Sequence, residues 1–306
     1  MEPVNARVGF SASSDPRSSA KTLKTHIRLL CAGLVTGLIA LMLNPNPARA
    51  QPIPIQDPNS WQLLEPGLEL GRISTSSDSS VSTINVLRID THHFKLELFN
   101  ASAQDNVLLT PKQWAQANGL VAVINASMFQ EDLSTSVSLM RTERHTNNSY
   151  QSKDNTILAF GPATPRVPEV KIIDRQCDDF DTWKTKYTTL IQSIRMISCK
   201  GRNVWRTQSR KSSVSAVAMD QQDRILFIHT KDAFITHNLI NILLQQPLNI
   251  TRAMYVEGGP QAQLYIDSGG RKYEFTGSIG ALFTSGANLA WPLPNVIGVE
   301  RRAPRD

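Results

Sequence analysis

The chain has 306 residues, 41% of them apolar and 19% charged, an ordinary globular composition that excludes disorder of the whole. The formal charge of +6 invites a nucleic-acid partner, but residues 1–50 hold six basic groups against two acidic ones, leaving 26 against 24 in the rest. That near-neutral remainder, without an aromatic-basic platform, argues against nucleic acid.

In the first fifty residues, Lys21, Lys24 and Arg28 form a positive flank and Leu29 to Leu43 an uncharged apolar run. Ala48-Arg49-Ala50 then offers small residues at the spacing a signal peptidase reads. The run is shorter than the roughly 20 residues a comfortable bilayer crossing needs. Residues 1–50 therefore read as a cleaved signal segment, and the chain as periplasmic or secreted, touching a membrane only through that segment. The alternative is an uncleaved N-terminal anchor. Cleavage would remove Cys31 and leave Cys177 and Cys199. An oxidising compartment favours a disulfide between them over two buried thiols, worth roughly 3 kcal/mol by loop closure.

Residues 51–60 are rich in proline and polar groups and read as a linker. One domain follows over 61–300, with a short tail at 301–306. Ile84–Ile89 and Phe94–Phe99 predict two strands joined by a turn, Asp90-Thr91-His92-His93, whose histidines are expected to be solvated rather than metal-bound. Thr110-Pro111 opens a short helix that Asn118-Gly119 closes. Leu120–Ile124 is a short, β-branched apolar run and predicts a buried strand that delivers Asn125 at its end.

Further on, Val137–Met140 and Thr156–Phe160 predict strands. Phe180, Trp183, Tyr187 and Leu190 recur at helical spacing and predict an amphipathic helix from about Asp179 to Gln192, which a disulfide would staple to a strand over Arg195–Cys199. Val214–Met219 and Arg224–His229 predict a hairpin. Thr236 is expected to cap a helix running to Leu244 or Gln245. Leu264–Ile266 and Val296–Val299 predict further strands. Strands and helices without strict alternation argue an α+β fold, with mixed, mainly antiparallel sheets and a few packed helices.

The most informative stretch is Ala253-Met254-Tyr255-Val256-Glu257-Gly258-Gly259-Pro260. A strand runs straight into one carboxylate, and two glycines permit positive φ and close approach of a ligand to the backbone. Glu257 then stands at a sheet's mouth beside bare amides, suited to act as acid or base near an anion. The competing reading is a solvated Glu in a glycine turn.

Asn125-Ala126-Ser127-Met128-Phe129, Gln192-Ser193-Ile194-Arg195-Met196, Glu257-Gly258-Gly259-Pro260 and Pro294-Asn295-Val296-Ile297-Gly298-Val299 together resemble the phosphodiester glycosidase family, from about Trp61 to Val299. The likeness is greater to its exported bacterial branch. The family commonly has Asn-Gly-Gly where this chain has Asn125-Ala126-Ser127, and Asp-Gly-Gly where it has Glu257-Gly258-Gly259.

The resemblance implies an exported hydrolase of a glycosidic phosphodiester, a sugar-1-phosphate ester of envelope or extracellular glycans. Glu257 would be the acid/base and Asn125 would orient sugar or water. Gly258 and Gly259 would donate amides, and Arg195 with Arg210 or Lys211 would clamp phosphate; Ser127 completes the substrate-binding set. The sequence requires no cofactor and no metal ligand set stands out, though a divalent cation is compatible with the site. The alternative is a catalytically altered member that binds a glycan or phosphoglycan. A serine hydrolase built on Ser127 and His145 lacks the glycine elbow such a nucleophile needs.

Overall fold

The computed structural model describes residues 61–77, 80–278 and 289–303. The signal segment and linker expected from the sequence lie outside these residues. Sixteen strands dominate the described chain: β1 (Gln62–Glu65), β2 (Leu68–Ser77), β3 (Ser80–Ile89), β4 (Phe94–Asn100), β5 (Ala122–Asn125), β6 (Met140–Arg141), β7 (Thr146–Asn148), β8 (Thr156–Pro162), β9 (Val170–Asp174), β10 (Tyr187–Ile197), β11 (Lys211–Asp220), β12 (Ile225–Ile235), β13 (Ile250–Gly258), β14 (Gln263–Ser268), β15 (Arg271–Thr276) and β16 (Asn295–Arg301). The α-helices among the described residues are short: α1 (Pro111–Asn118), α2 (Phe180–Trp183) and α3 (Thr236–Gln245). The fold is thus mainly β, which corrects the α+β expectation; none of these helices is long and apolar enough to cross a membrane.

The largest source of that correction is the segment 179–192. Only Phe180–Trp183 is helical, and Tyr187 begins the eleven-residue strand β10. Trp183 and Tyr187 do stack, with ring centroids 6.3 Å apart, but across a turn rather than along a helix. The β-branched residues Thr188, Thr189, Ile191, Ile194 and Ile197 favour the pleated form and decide the outcome. The disulfide Cys177–Cys199 is present, with Cα atoms 6.5 Å apart. It ties the turn after β9 to the end of β10, not a long helix to a strand.

The strands form two antiparallel sheets. Eleven belong to one, in the order β1-β2-β3-β12-β11-β13-β10-β6-β7, with β8 on β10 and β9 on β8. Five form the other, in the order β15-β14-β5-β16-β4. The turn after β3 therefore carries the chain from one sheet to the other instead of closing a hairpin. His92 and His93 in it are exposed, and His92 Nδ1 lies 2.8 Å from Asp90.

The main core lies between the sheets, where Leu87, Val217, Phe227, Met254 and Val256 meet Leu98, Ile124, Leu264, Ile266 and Ile297. The outer face of the large sheet is also apolar. Ile84, Val86, Ala216, Ala218 and Ile228 pack under Leu239, Ile240 and Leu243 of α3. That double burial explains why β11, β12 and β13 read as near-continuous apolar runs. Thr236 is the first residue of α3 rather than its cap; the cap position is Ile235, which makes no side-chain bond. By contrast, α1 has the expected capping box, Thr110 with Gln113, and ends on Gly119 at φ +66°.

Candidate active site

Strand β13 runs between β11 and β10 and carries Glu257 to its end. The pairing with β11 shifts at Ser215–Ala216, a bulge that sets Glu257 opposite Ser215 while Tyr255 faces Ala216. Ser215 is in turn opposite His229 on β12, and His229 opposite Asn85 on β3. Four buried polar residues thus cross the sheet in one row.

Burial raises the Glu257 carboxyl from its ordinary range to about 7, although the Gly258 amide donates to its Oε1 at 2.9 Å and partly opposes the rise. Burial pushes the His229 imidazole down to about 4, so the ring is neutral near pH 7. Its Nε2 lies 3.1 Å from the Ala262 carbonyl, which only a donor can satisfy, leaving Nδ1 as the acceptor. Among the described residues, His229 Nδ1, Ser215 Oγ and Asn85 Oδ1 have no hydrogen-bond partner.

Asn125 ends β5 and reaches the chain just beyond Glu257. Its Nδ2 donates to the Gln261 carbonyl and its Oδ1 accepts from the Gln263 amide, both at 2.8 Å. The amide-bearing and carboxylate-bearing strand ends therefore meet through the turn Gly259–Gln261. Of the two glycines, Gly258 gives its amide to the Glu257 carboxyl. Gly259 has φ +68° and, among the described residues, nothing within 4 Å of where a Cβ would stand. Ala126 and Ser127 are buried, and Ser127 Oγ donates to the Gln192 carbonyl at 3.3 Å.

The predicted cations separate. Arg195 is tied to Asp174, at 2.7 and 3.0 Å to its two carboxylate oxygens, and to Gln176 at 2.9 Å. Asp174 is buried and also accepts from the Cys199 amide at 3.0 Å, so Arg195 belongs to the frame around the disulfide. Arg210 and Lys211 are exposed at the start of β11, and neither makes an ion pair within the described residues. The one grouping of potential metal ligands among the described residues, Asp174 with Cys177 and Cys199, has both its sulfurs in the disulfide. His145 bonds Ser102 at 2.9 Å while Ser127 bonds β10, so no Ser127–His145 pair exists.

Tyr255, His229 and Ser215 were not singled out from the sequence. A histidine inside the apolar run of β12 was the available signal, since a buried strand rarely spends a position on an imidazole.

A model of the phosphodiester glycosidase family matches residues 118–300, which hold every candidate site residue from Asn125 to Gly259. No curated protein matches the chain. Among solved structures, the chain resembles the zebrafish N-acetylglucosamine-1-phosphodiester alpha-N-acetylglucosaminidase catalytic domain, auto-inhibited by its pro-peptide. The TM-score is 0.59 at 12% identity, over 83% of this chain and 88% of that one. It also resembles a hypothetical protein from Synechocystis, at TM-score 0.53 and 13% identity, over 78% of this chain and 62% of the other. At such identities the structural likeness speaks for the fold alone. The family match, which spans more than half of the sequence, goes further: the chain belongs to the phosphodiester glycosidase family.

Proposed function

We propose that the protein hydrolyses a glycosyl phosphodiester, with Glu257 as the acid/base. The supporting observation is a buried carboxyl whose titration lies near 7 at the end of β13, beside a glycine that no described residue covers. A group balanced near the working pH can take a proton and give it back. In the reaction, the oxygen of water bonds to the anomeric carbon and that carbon's bond to the phosphate oxygen breaks. Glu257 in its ionised form takes the water proton, and the phosphate monoester leaves with the bonding electrons as an anion. A stable anionic leaving group explains how one carboxylate can serve where glycosidases ordinarily use two. The zebrafish relative is named for a sugar-1-phosphodiester, and the same substrate class is proposed here, with Asn125 acting by fixing the turn behind Glu257.

Two further parts of the reading concern location and chemistry. Export of the chain to an oxidising compartment is supported by the Cys177–Cys199 disulfide and by the leader-like residues 1–50. N-terminal sequencing of the protein recovered from the envelope or medium tests it: an intact Met1 would replace cleavage by anchoring. The second reading, a phosphoglycan-binding protein without turnover, is favoured by Asn125 and Ser127 turning their polar atoms to the protein's own backbone.

The deciding experiment incubates the purified protein and its Glu257→Gln variant with a panel of glycosyl phosphodiesters, with and without chelator. Reducing sugar and phosphate monoester are both quantified. Turnover by the parent with a loss of at least about 100-fold in the variant is expected. Equal turnover by the two removes Glu257 from the chemistry, and binding without product from either selects the second reading.

A further inference from the structure

Tyr255 has no part in the mechanism above, yet its hydroxyl occupies the place where a side chain would begin on the glycine that follows Glu257. A Cβ placed on Gly258 would lie 1.8 Å from the Tyr255 hydroxyl oxygen and 3.3 Å from the Ser213 carbonyl. Gly258 is therefore glycine because a phenol occupies the space, independently of any ligand. The same Gly258 donates its amide to Glu257 at 2.9 Å, so the phenol tip and the carboxyl share one residue as their common neighbour.

The ring cannot easily leave this place. It packs on Trp205 with centroids 5.2 Å apart. Trp205 is fixed through its backbone, its amide donating to Asn203 Oδ1 at 3.0 Å and its carbonyl accepting from His237 Nδ1 at 2.7 Å. Asn203 continues to Asn241 and the His237 carbonyl on α3. A helix on the outer face of the sheet thus holds a hydroxyl at the mouth of the site.

The charged groups that act on the phenol are Glu257 and Arg210, with Ser212 beside it. Burial first, and then the Glu257 charge, raise the phenol above its usual value. It stays protonated through the physiological range and meets an anion only as a donor. Arg210, exposed and without an ion pair among the described residues, supplies a positive charge next to it. A neutral donor and a guanidinium beside one carboxyl suit a singly charged phosphodiester, whose charge Arg210 offsets while a directed O–H fixes one oxygen. Of the cations that the sequence offered for this task, Arg195 with Arg210 or Lys211, Arg195 is held by Asp174.

We propose that the Tyr255 hydroxyl, braced over Gly258 and paired with Arg210, donates the hydrogen bond that holds a non-bridging phosphate oxygen of the substrate. This rests on the reading of Glu257 as the reacting group, but its test does not depend on turnover. Binding of inorganic phosphate and of dimethyl phosphate is measured by calorimetry on the Glu257→Gln protein, alone and with Tyr255→Phe or Arg210→Ala added. Each addition should weaken both anions roughly tenfold or more, since a hydrogen bond to a charged group is worth roughly 1.5–3 kcal/mol. Binding of an uncharged methyl glycoside should stay unchanged.

With Glu257 intact, Tyr255→Phe should raise KM for the phosphodiester roughly tenfold and leave kcat within about threefold. Phosphate affinity indifferent to the phenol overturns the proposal, as does an equal loss for the uncharged sugar, which marks a purely structural role. If Glu257→Gln keeps full turnover while phosphate binding still needs Tyr255, the chemistry assigned to Glu257 falls and the anion site stands.

Discussion

Replacing Glu257 by Gln should make the protein more stable, and only above acid pH. In the folded chain the carboxyl titrates near 7 against an ordinary 4.5. At about 1.4 kcal/mol for each pH unit, that separation amounts to about 3 kcal/mol. Below pH 4.5 both folded and unfolded chains carry the proton, and the two proteins should be equally stable. Between 4.5 and 7 the unfolded chain releases a proton that the folded one keeps, so the parent loses stability as pH rises, and above 7 the full penalty is in place.

His229 has the opposite sign. Its folded value lies near 4 against an ordinary 6.5, so its contribution is lost as pH falls through that interval. The two slopes oppose each other in the parent. Because His229 is common to both proteins, the difference between them isolates Glu257. Burial keeps the Tyr255 phenol neutral across the window, so it does not distort the difference. Gln keeps an oxygen for the Gly258 amide. Guanidinium or thermal melts at pH 4.5, 6 and 8 should show a gap growing from near zero to about 3 kcal/mol, roughly 6–12 °C in Tm for a domain of this size. Parallel curves at every pH, or a variant that melts lower at pH 8, would refute the claim that burial holds the Glu257 carboxyl away from water.

Three other substitutions probe the frame. His229→Gln keeps a donor for the Ala262 carbonyl and removes the buried titrating ring, so its stability should fall less than the parent's between pH 6.5 and 4; an unchanged acid limb in a denaturant series contradicts this. Asn125→Ala strips partners from the Gln261 carbonyl and the Gln263 amide and should cost about 3 kcal/mol in chemical denaturation, with kcat falling as the turn behind Glu257 loosens. Arg195→Met leaves the buried Asp174 without its guanidinium and should cost about 3–5 kcal/mol while KM moves less than twofold; a raised KM at unchanged stability would return Arg195 to the substrate.

Local chemistry made parts of this architecture legible. Thr110, Pro111 and Gly119 bound α1 because capping and left-handed φ are properties of the residues themselves. The strand ends at Asn125 and Glu257 showed for the same reason, each being one polar side chain closing an apolar run. The segment 179–192 misled because its aromatic spacing comes from a four-residue helix, a turn and a strand laid end to end. The partner of Arg195 was hidden for another reason. Asp174 lies on β9, a strand that the sequence reading did not find, and the two meet only because β8 bridges β9 to β10. Similarly, the contact of Tyr255 with Gly258 depends on a bulge, and a bulge leaves no mark in a strand's alternation until its partner strand is known.

The two departures from the family's usual motifs make physical sense together. At the end of β5, where Asn-Gly-Gly is common, Ala126 and Ser127 are enclosed and Ser127 is bonded to β10, so that turn is packed into the protein. At the end of β13 no described residue covers Gly259. Strands β11 and β13 carry Ser212, Tyr255 and Glu257 between them, with Arg210 immediately before β11. The longer acid at 257 reaches back to accept from the Gly258 amide. The whole arrangement then hangs on the register shift at Ser215–Ala216. Closing that shift by one residue would turn Glu257 to the opposite face of the sheet, while leaving the core on both sides almost untouched.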